Sequence, residues 1–557
     1  MILEKLCEFA ERVDDFPPLH FTKKSIDWLI EIDDKGNLIE FVNVSEEGEI
    51  FLYAENLVGR AGRAVKPLLL GDKAKYIFGN TGGTELTNRE EKLKKSFYEL
   101  TEECFVETGL KEVESVLKLL KDYDIKKLVE YEDINDNNWM AFRVKGKDLL
   151  KNKKIQEYWQ SKQNAVAEER SDMVADCLVC GKEKAIADRH TEKLKLGKIG
   201  GHGRGNPLIS ANAVAFESYG LEESRVAPVC FDCATLYGRT ANYLLDKENH
   251  NLKIGNIIYL FWTKNNCQFD GFSLLDSPES DEVKSFLKSY KRGIKNTIEN
   301  EKFYVLALSA NNSRTVIRDW INTRLKDIEK NISNYFKEMR LDDNKSDRYY
   351  GINTLASNTA LNYNDIKPIV AESLAAYALK GSSLVDAVLY NTVKRIKADI
   401  EYRVSRPRAA LLKMYFNSHP EGGIKLEKKL NKNEKSDAYL CGRLFSVIEI
   451  IQKKALPGIK STIVDRYYGT ASAAPASVFG NLLRKAQHHL GKLRKDNKGK
   501  GMYYWLQSEI EDIMLELDDF PSSLSLKDQG LFALGYYQQK AYRPEKSKEE
   551  KEENNDL

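Results

Sequence analysis

Two cysteine pairs carry the clearest chemistry in the sequence: Cys177-Leu-Val-Cys180 and Cys230-Phe-Asp-Cys233. A CxxC turn lets two thiolates approach one ion from a single tight loop, and two such turns supply the four ligands of a closed tetrahedral zinc site. Four thiolates leave no open position, so the zinc expected here is structural and activates no water. A redox role is disfavoured, because neither pair sits in a βαβ context. His190 and His202 lie between the pairs and are alternative ligands in place of a cysteine.

Between the knuckles runs GKIGGHGRGNPLISAN, residues 197–212, with five glycines. Such backbone can approach a partner closely and turn its N–H groups toward an anion. Lys193, Lys195, Lys198, His202 and Arg204 add positive charge, while Asn206, Ser210 and Asn212 are types that contact phosphate oxygens or base edges. It is not a nucleotide-binding P-loop, since the Lys-Ser/Thr pair is missing and no helical run directly follows the last glycine. A mobile surface loop is the alternative reading.

Two further basic stretches stand out. Arg60, Arg63 and Lys66, with Lys73 and Lys75, form a Gly/Pro-punctuated segment suited to duplex phosphates. Residues 481–500 carry seven Lys/Arg against one acid, and Arg484, Lys485, His488, Lys492 and Lys495 recur at mostly helical spacing, a stripe that could track a displaced single strand. Solvated helix or loop faces would carry the same charges. Catalytic patterns are missing: no His-Asp dipeptide, Walker A, Gly-x-Ser-x-Gly or His-Glu-x-x-His occurs.

The elements that must position these residues follow from periodicity. A chain of 557 residues exceeds what one core supports, so roughly two to four domains are expected. With 42% hydrophobic and 31% charged residues and no long apolar run, it reads as a soluble, cytoplasmic protein without a signal peptide or membrane partner. A net charge of +2 confines any nucleic-acid contact to local patches. KKSIDWLIEIDDKGNLIEFVNV places a hairpin turn at residues 33–37, strands follow at 256–263 and 302–310, and a helical pattern fills 90–121. Beyond about residue 360 six amphipathic segments predict a helical bundle. The expected fold is thus an α+β N-terminal region with a zinc-clamped insertion, followed by an all-α C-terminal bundle. The boundaries read as 1–340 (insertion about 177–233), a helical connector at 341–425, a bundle at 426–543 and a disordered tail at 544–557.

The glycine-rich stretch continues as LISANAVAFESYG and closes in VAPVCFDCATLYGRTANYLL. It resembles the large subunit of the type I-C CRISPR surveillance complex, Cascade, whose glycine-rich segment runs into a Ser-x-Asn-x-x-Ala-Phe-x-Ser-Tyr-Gly motif. That motif falls here on Ser210, Asn212, Ala215, Phe216, Ser218, Tyr219 and Gly220. RAVKPLLLGDKAKYIFG, VLALSANNSRTVIRDW, YLCGRLFSVIEIIQKKA, TIVDRYYGTASAAPASVFGNLLRKAQHHLGKL and FPSSLSLKDQGLFALGYYQQK resemble family blocks in the same order. The resemblance implies a non-catalytic subunit that recognises the protospacer-adjacent motif in double-stranded target DNA and aids strand opening and R-loop formation. Implied partners are the displaced single strand, the 5′ handle of the guide RNA, other Cascade subunits and a separate helicase-nuclease. The C-terminal part is also expected to be made separately as a small subunit, Met414 being one candidate start. Many members of that family lack the complete cysteine quartet, so zinc rests on this chain's own spacing. The reading from a different class is a zinc-containing nuclease whose carboxylates assemble from distant segments.

Overall fold

The computed structural model describes residues 1–13, 16–45, 50–57, 64–82, 85–124, 128, 131, 133–190, 192–211, 213–217, 219–265, 271–292, 301–343, 347–401, 403–420, 425–496 and 499–542. The chain forms two compact units, Met1–Leu194 with Pro207–Ala241, and Lys195–Asn206 with Asn242–Leu557.

The first unit opens with helix α1 (Ile2–Ala10) and strands β1 (Phe21–Ser25), β2 (Trp28–Ile32), β3 (Leu38–Asn43), β4 (Ile50–Ala54) and β5 (Gly71–Lys73). Helices α2 (Ala74–Ile77), α3 (Asn88–Thr108) and α4 (Lys111–Asp122) follow, then β6 (Trp139–Val144), β7 (Lys147–Asp148), α5 (Lys153–Arg170), β8 (Val174–Asp176), β9 (Glu183–Ala185) and α6 (Phe231–Asp246). The expected hairpin is β2–β3, antiparallel, with Gly36 in the left-handed region at φ 90°. A Cβ there would stand 2.7 Å from the backbone oxygen of Ser115 on α4, so only glycine lets the turn seat on that helix. β2 also pairs in parallel with β6, giving the order β3-β2-β6-β5, while β1 and β4 form a separate two-stranded ribbon. The helical pattern at 90–121 becomes α3 and α4, broken at Gly109 (φ 63°).

The second unit carries an antiparallel sheet in the order β10 (Asn251–Ile254), β11 (Ile257–Thr263), β12 (Lys302–Asn311) and β13 (Arg314–Arg324). Around it stand α7 (Gly271–Asp276), α8 (Ser280–Arg292), α9 (Leu325–Glu338), α10 (Ile352–Ser357), α11 (Pro368–Lys380), α12 (Asp386–Ala398) and α13 (Arg406–Asn417). The bundle proper is α14 (Asp437–Ala455), α15 (Ile463–Ala471), α16 (Phe479–Lys495), α17 (Lys500–Glu516) and α18 (Leu526–Ala541). The α+β-then-helical architecture is as the periodicity predicts. The boundary drawn at 340 is not a seam, however: one core runs from Leu252 to Tyr536 and joins Tyr259, Phe303 and Val305 of the sheet to Ile328 and Phe336 of α9 and Leu374 of α11. The expected tail at 544–557 lies outside the described residues. Among the described residues, no helix is long and apolar enough to cross a membrane.

Candidate functional site

The first knuckle is the turn of a short hairpin. β8 and β9 pair antiparallel, and between them Gly181 N donates to Cys177 O at 2.9 Å with Gly181 at φ 65°, closing the loop around the thiols. The second knuckle sits at the start of α6, where Cys230 N donates to Cys177 Sγ at 3.3 Å. Two backbone bonds, Leu178 N to Pro228 O and Ala187 N to Val229 O, hold the knuckles side by side. The four Sγ atoms of Cys177, Cys180, Cys230 and Cys233 consequently all lie within 4.8 Å of one another. A zinc–sulfur bond of about 2.3 Å implies sulfurs about 3.8 Å apart in a tetrahedron, so the donor set fits zinc with a small contraction.

The electrostatics favour a thiolate at Cys177 alone, and Cys180, Cys230 and Cys233 are all held up as thiols. Burial alone would hold the Cys177 thiol up, but the backbone N–H groups of Cys180, Cys230 and Val179 outweigh it and bring it down to about 7. Cys230 is pushed up by its hydrogen bond to Cys233 and by burial, so a proton remains in this pair until a metal displaces it. The N-terminus of α6 adds its positive end to the pair. His190 is not part of the four-cysteine cluster, and its Nδ1 lies 2.6 Å from Tyr237 Oη. His202 belongs to the other unit.

Residues the sequence reading missed surround the knuckle. Asp232 lies between Cys230 and Cys233, its Oδ2 2.8 Å from Lys184 Nζ and its Oδ1 3.4 Å from His20 Nε2. Burial opposes its charge, but His20 and Lys184 outweigh that and hold the carboxyl below its usual range. Lys184 follows Cys180 by four positions and is legible in hindsight; His20, far upstream, carries no local signal.

The glycine-rich loop alternates buried and exposed side chains. Leu196 and Ile199 are buried, whereas Lys195, Lys198, His202 and Arg204 are exposed. Gly200 and Gly205 both take φ 82°, and a Cβ on Gly201 would stand 2.6 Å from Asn206 Oδ1. The organiser is Asn206, fully buried: its Oδ1 accepts from His202 N at 2.9 Å, and its Nδ2 donates to Asn312 O, at the β12–β13 turn, at 2.8 Å. The other end is pinned by Lys195 N donating to Asn242 Oδ1 at 2.9 Å. Asn206, expected to face a ligand, therefore spends its amide inside the protein. The cations point out because the alternate apolar residues point in.

The remaining candidates separate. Ser210 is exposed in the first unit, Lys66 is half-buried there, and Arg60, Arg63 and Asn212 lie outside the described residues. On α16 the two faces divide as the spacing predicts: Phe479, Leu482, Leu490 and Leu493 are buried, and Arg484, Lys485, His488 and Lys492 are exposed. Lys485 Nζ rests 5.4 Å from the centre of the Tyr467 ring, a cation–π contact that steadies the stripe. Asp465 serves α15, where Thr462 N donates to its Oδ2 at 2.6 Å in a capping box. Among the described residues, the four cysteines are the one cluster of three or more potential metal ligands.

A family model for CRISPR-associated protein (Cas_Csd1) matches residues 4–543. The chain belongs to this family. No curated protein matches it. The Cas_Csd1 match spans both units, and the CRISPR association read from residues 210–220 is borne out.

Proposed function

We propose that this Cas_Csd1 protein is the large subunit of a type I-C Cascade, a non-catalytic subunit that binds duplex target DNA next to its guide-paired segment, recognises the adjacent motif and recruits the helicase-nuclease. The observation that carries the DNA-binding part is the built geometry of the glycine-rich loop. Four cationic or titratable side chains, Lys195, Lys198, His202 and Arg204, stand outward on a backbone braced by buried Leu196, Ile199 and Asn206. A pre-organised cationic loop contacts phosphates without paying to order itself. The stripe on α16 is a second such surface, suited to a displaced single strand. Zinc held by four thiolates has no open position and would serve structure.

The test is DNA binding by the complex reconstituted with guide RNA, on targets with and without the adjacent duplex motif. The Lys198→Ala/Arg204→Ala protein should bind motif-bearing DNA at least tenfold more weakly while assembling normally on guide RNA. Neutralising Arg484, Lys485 and Lys492 should leave motif discrimination intact and flatten the salt dependence by about one unit per lost phosphate contact. Equal binding by the loop variant would make the loop a bystander. Mg²⁺-dependent cutting by the purified chain would restore the nuclease reading.

A further inference from the structure

The N-terminal segment has little to hold it by itself. α1 has nine residues, a length at which an isolated helix is marginal. Among the described residues β1 pairs only with β4, and a two-stranded ribbon is likewise marginal alone. Both reach the second cysteine knuckle. On α1, buried Cys7 directs its Sγ to the carbonyl oxygen of Cys233 at 3.8 Å. Immediately before β1, His20 is 2% exposed and places Nε2 3.4 Å from Asp232 Oδ1, inside the knuckle.

His20 is a junction in its backbone as well. It holds φ 63°, a conformation that costs a non-glycine residue energy unless the surroundings impose it. The surroundings are visible: its carbonyl oxygen accepts from Glu55 N at 2.7 Å and from the indole Nε1 of buried Trp159 at 3.2 Å. Glu55 in turn pairs with Arg239 on α6, whose Nη1 donates to Phe21 O at 2.6 Å. Through this ring of contacts, the residue that fixes the entry to β1 also touches Asp232, between Cys230 and Cys233 in the first turn of α6. Phe21 and Ala54 add apolar packing to the ribbon, but they do not set the chain's direction at His20.

We propose that metal binding at Cys177, Cys180, Cys230 and Cys233 orders the N-terminal segment through β1, with His20 and Cys7 as the positioning residues that couple it to the Cys230–Cys233 knuckle. This rests on the zinc reading of the four cysteines and is independent of DNA binding. Coupling of this kind is reciprocal, so a change at His20 must weaken the metal as loss of the metal loosens β1. Partners beyond the ligands themselves typically change metal affinity by about 10–100-fold.

The experiment is hydrogen exchange on the full chain, zinc-loaded and after chelation, with metal content measured in parallel. Amides of residues 2–10 and 21–25 should exchange at least tenfold faster after chelation, together with those of the knuckles. His20→Asn, which tolerates the left-handed backbone but cannot reach Asp232 as the imidazole does, should release zinc to a chelator about tenfold more readily than the wild type. A response confined to the knuckles and their hairpin overturns the coupling while leaving the metal site standing. A chain that takes up no zinc overturns both. Should His20→Asn fail to fold, chelation of the wild type still decides the matter.

Discussion

His190 lies between the two knuckles in sequence, and burial decides its chemistry. The ring is 5% exposed, its Nδ1 meets Tyr237 Oη at 2.6 Å, and burial lowers its proton affinity from the ordinary 6.5 to about 4. The unfolded chain therefore binds a proton between those values that the folded one refuses. His190 costs no stability above pH 6.5; below that its penalty grows as pH falls toward 4, reaching about 3 kcal/mol there. His190→Gln should remove this contribution. Its urea midpoint at pH 7.5 should stay near wild type, whereas the wild-type loss between pH 7.5 and 4.5 should shrink by that amount; parallel pH profiles would refute the assignment. Legibility at this scale follows sequence distance. The cysteine tetrad could be read because each CxxC encodes its own turn. Asn206 could not, because its amide is consumed by a carbonyl oxygen 106 positions away, which no local pattern announces.

Elements were legible where one face meets water and another meets the core. α16 shows its apolar and basic stripes plainly, and the β2–β3 turn is written in Asp33 to Asn37. α13 lies in the expected helical connector, but no periodicity singled it out because it has no wet face: Ala409 through Phe416 are all buried, with Arg408 drawn in alongside, so no amphipathic period exists. Lys413 Nζ finds the carbonyl oxygen of Glu338 at 2.7 Å, which makes the burial tolerable. β13 was missed for the opposite reason, since this edge strand exposes residues from both faces. α14 and α18 share a further feature, a backbone crossing. A Cβ on Gly442 would stand 2.1 Å from Phe532 O, and one on Gly535 2.3 Å from Tyr439 O. Neither backbone can yield without parting the helices. Gly442→Ala should therefore destabilise by roughly 3 kcal/mol or more, an overpacking cost at the upper end of its usual range. Gly469→Ala, where a Cβ meets nothing within 4 Å, should change stability little; equal melting temperatures for the two variants would mean the crossing relaxes freely.

At the scale of the whole chain, the question is where it can be cut. A cut at 340 parts α9 from the helices it supports, breaking Lys413 to Glu338 O and Asn331 to Leu379 O and stripping Ile328 and Phe336 from the shared core. A cut at 425 removes less. Most polar ties of α14, α17 and α18 fall inside 426–543: Arg443 to Gln539, Gln539 to Glu509, Tyr536 to Glu449 and Tyr439 to Gln538, whereas Tyr537 Oη reaches out to Asp343 Oδ2 at 2.8 Å. Gln538 also grips the leading segment through Glu427 O and Lys429 O. Such a fragment forfeits the Tyr537–Asp343 bond and the cover over Gly530, where Leu389 of α12 and Phe416 of α13 press on α18. A start at Met414 would restore only Phe416 and the last turn of α13. Fragment 426–543 should accordingly keep its helix content and unfold in one cooperative thermal transition, and a fragment from 414 should melt a few degrees higher because it caps that face. These outcomes would give a separately made small subunit, as the resemblance implies, a physical basis in this fold. A fragment 426–543 without a cooperative transition would show instead that the bundle needs α12 and α13, and that the C-terminal helices act only as part of the full chain.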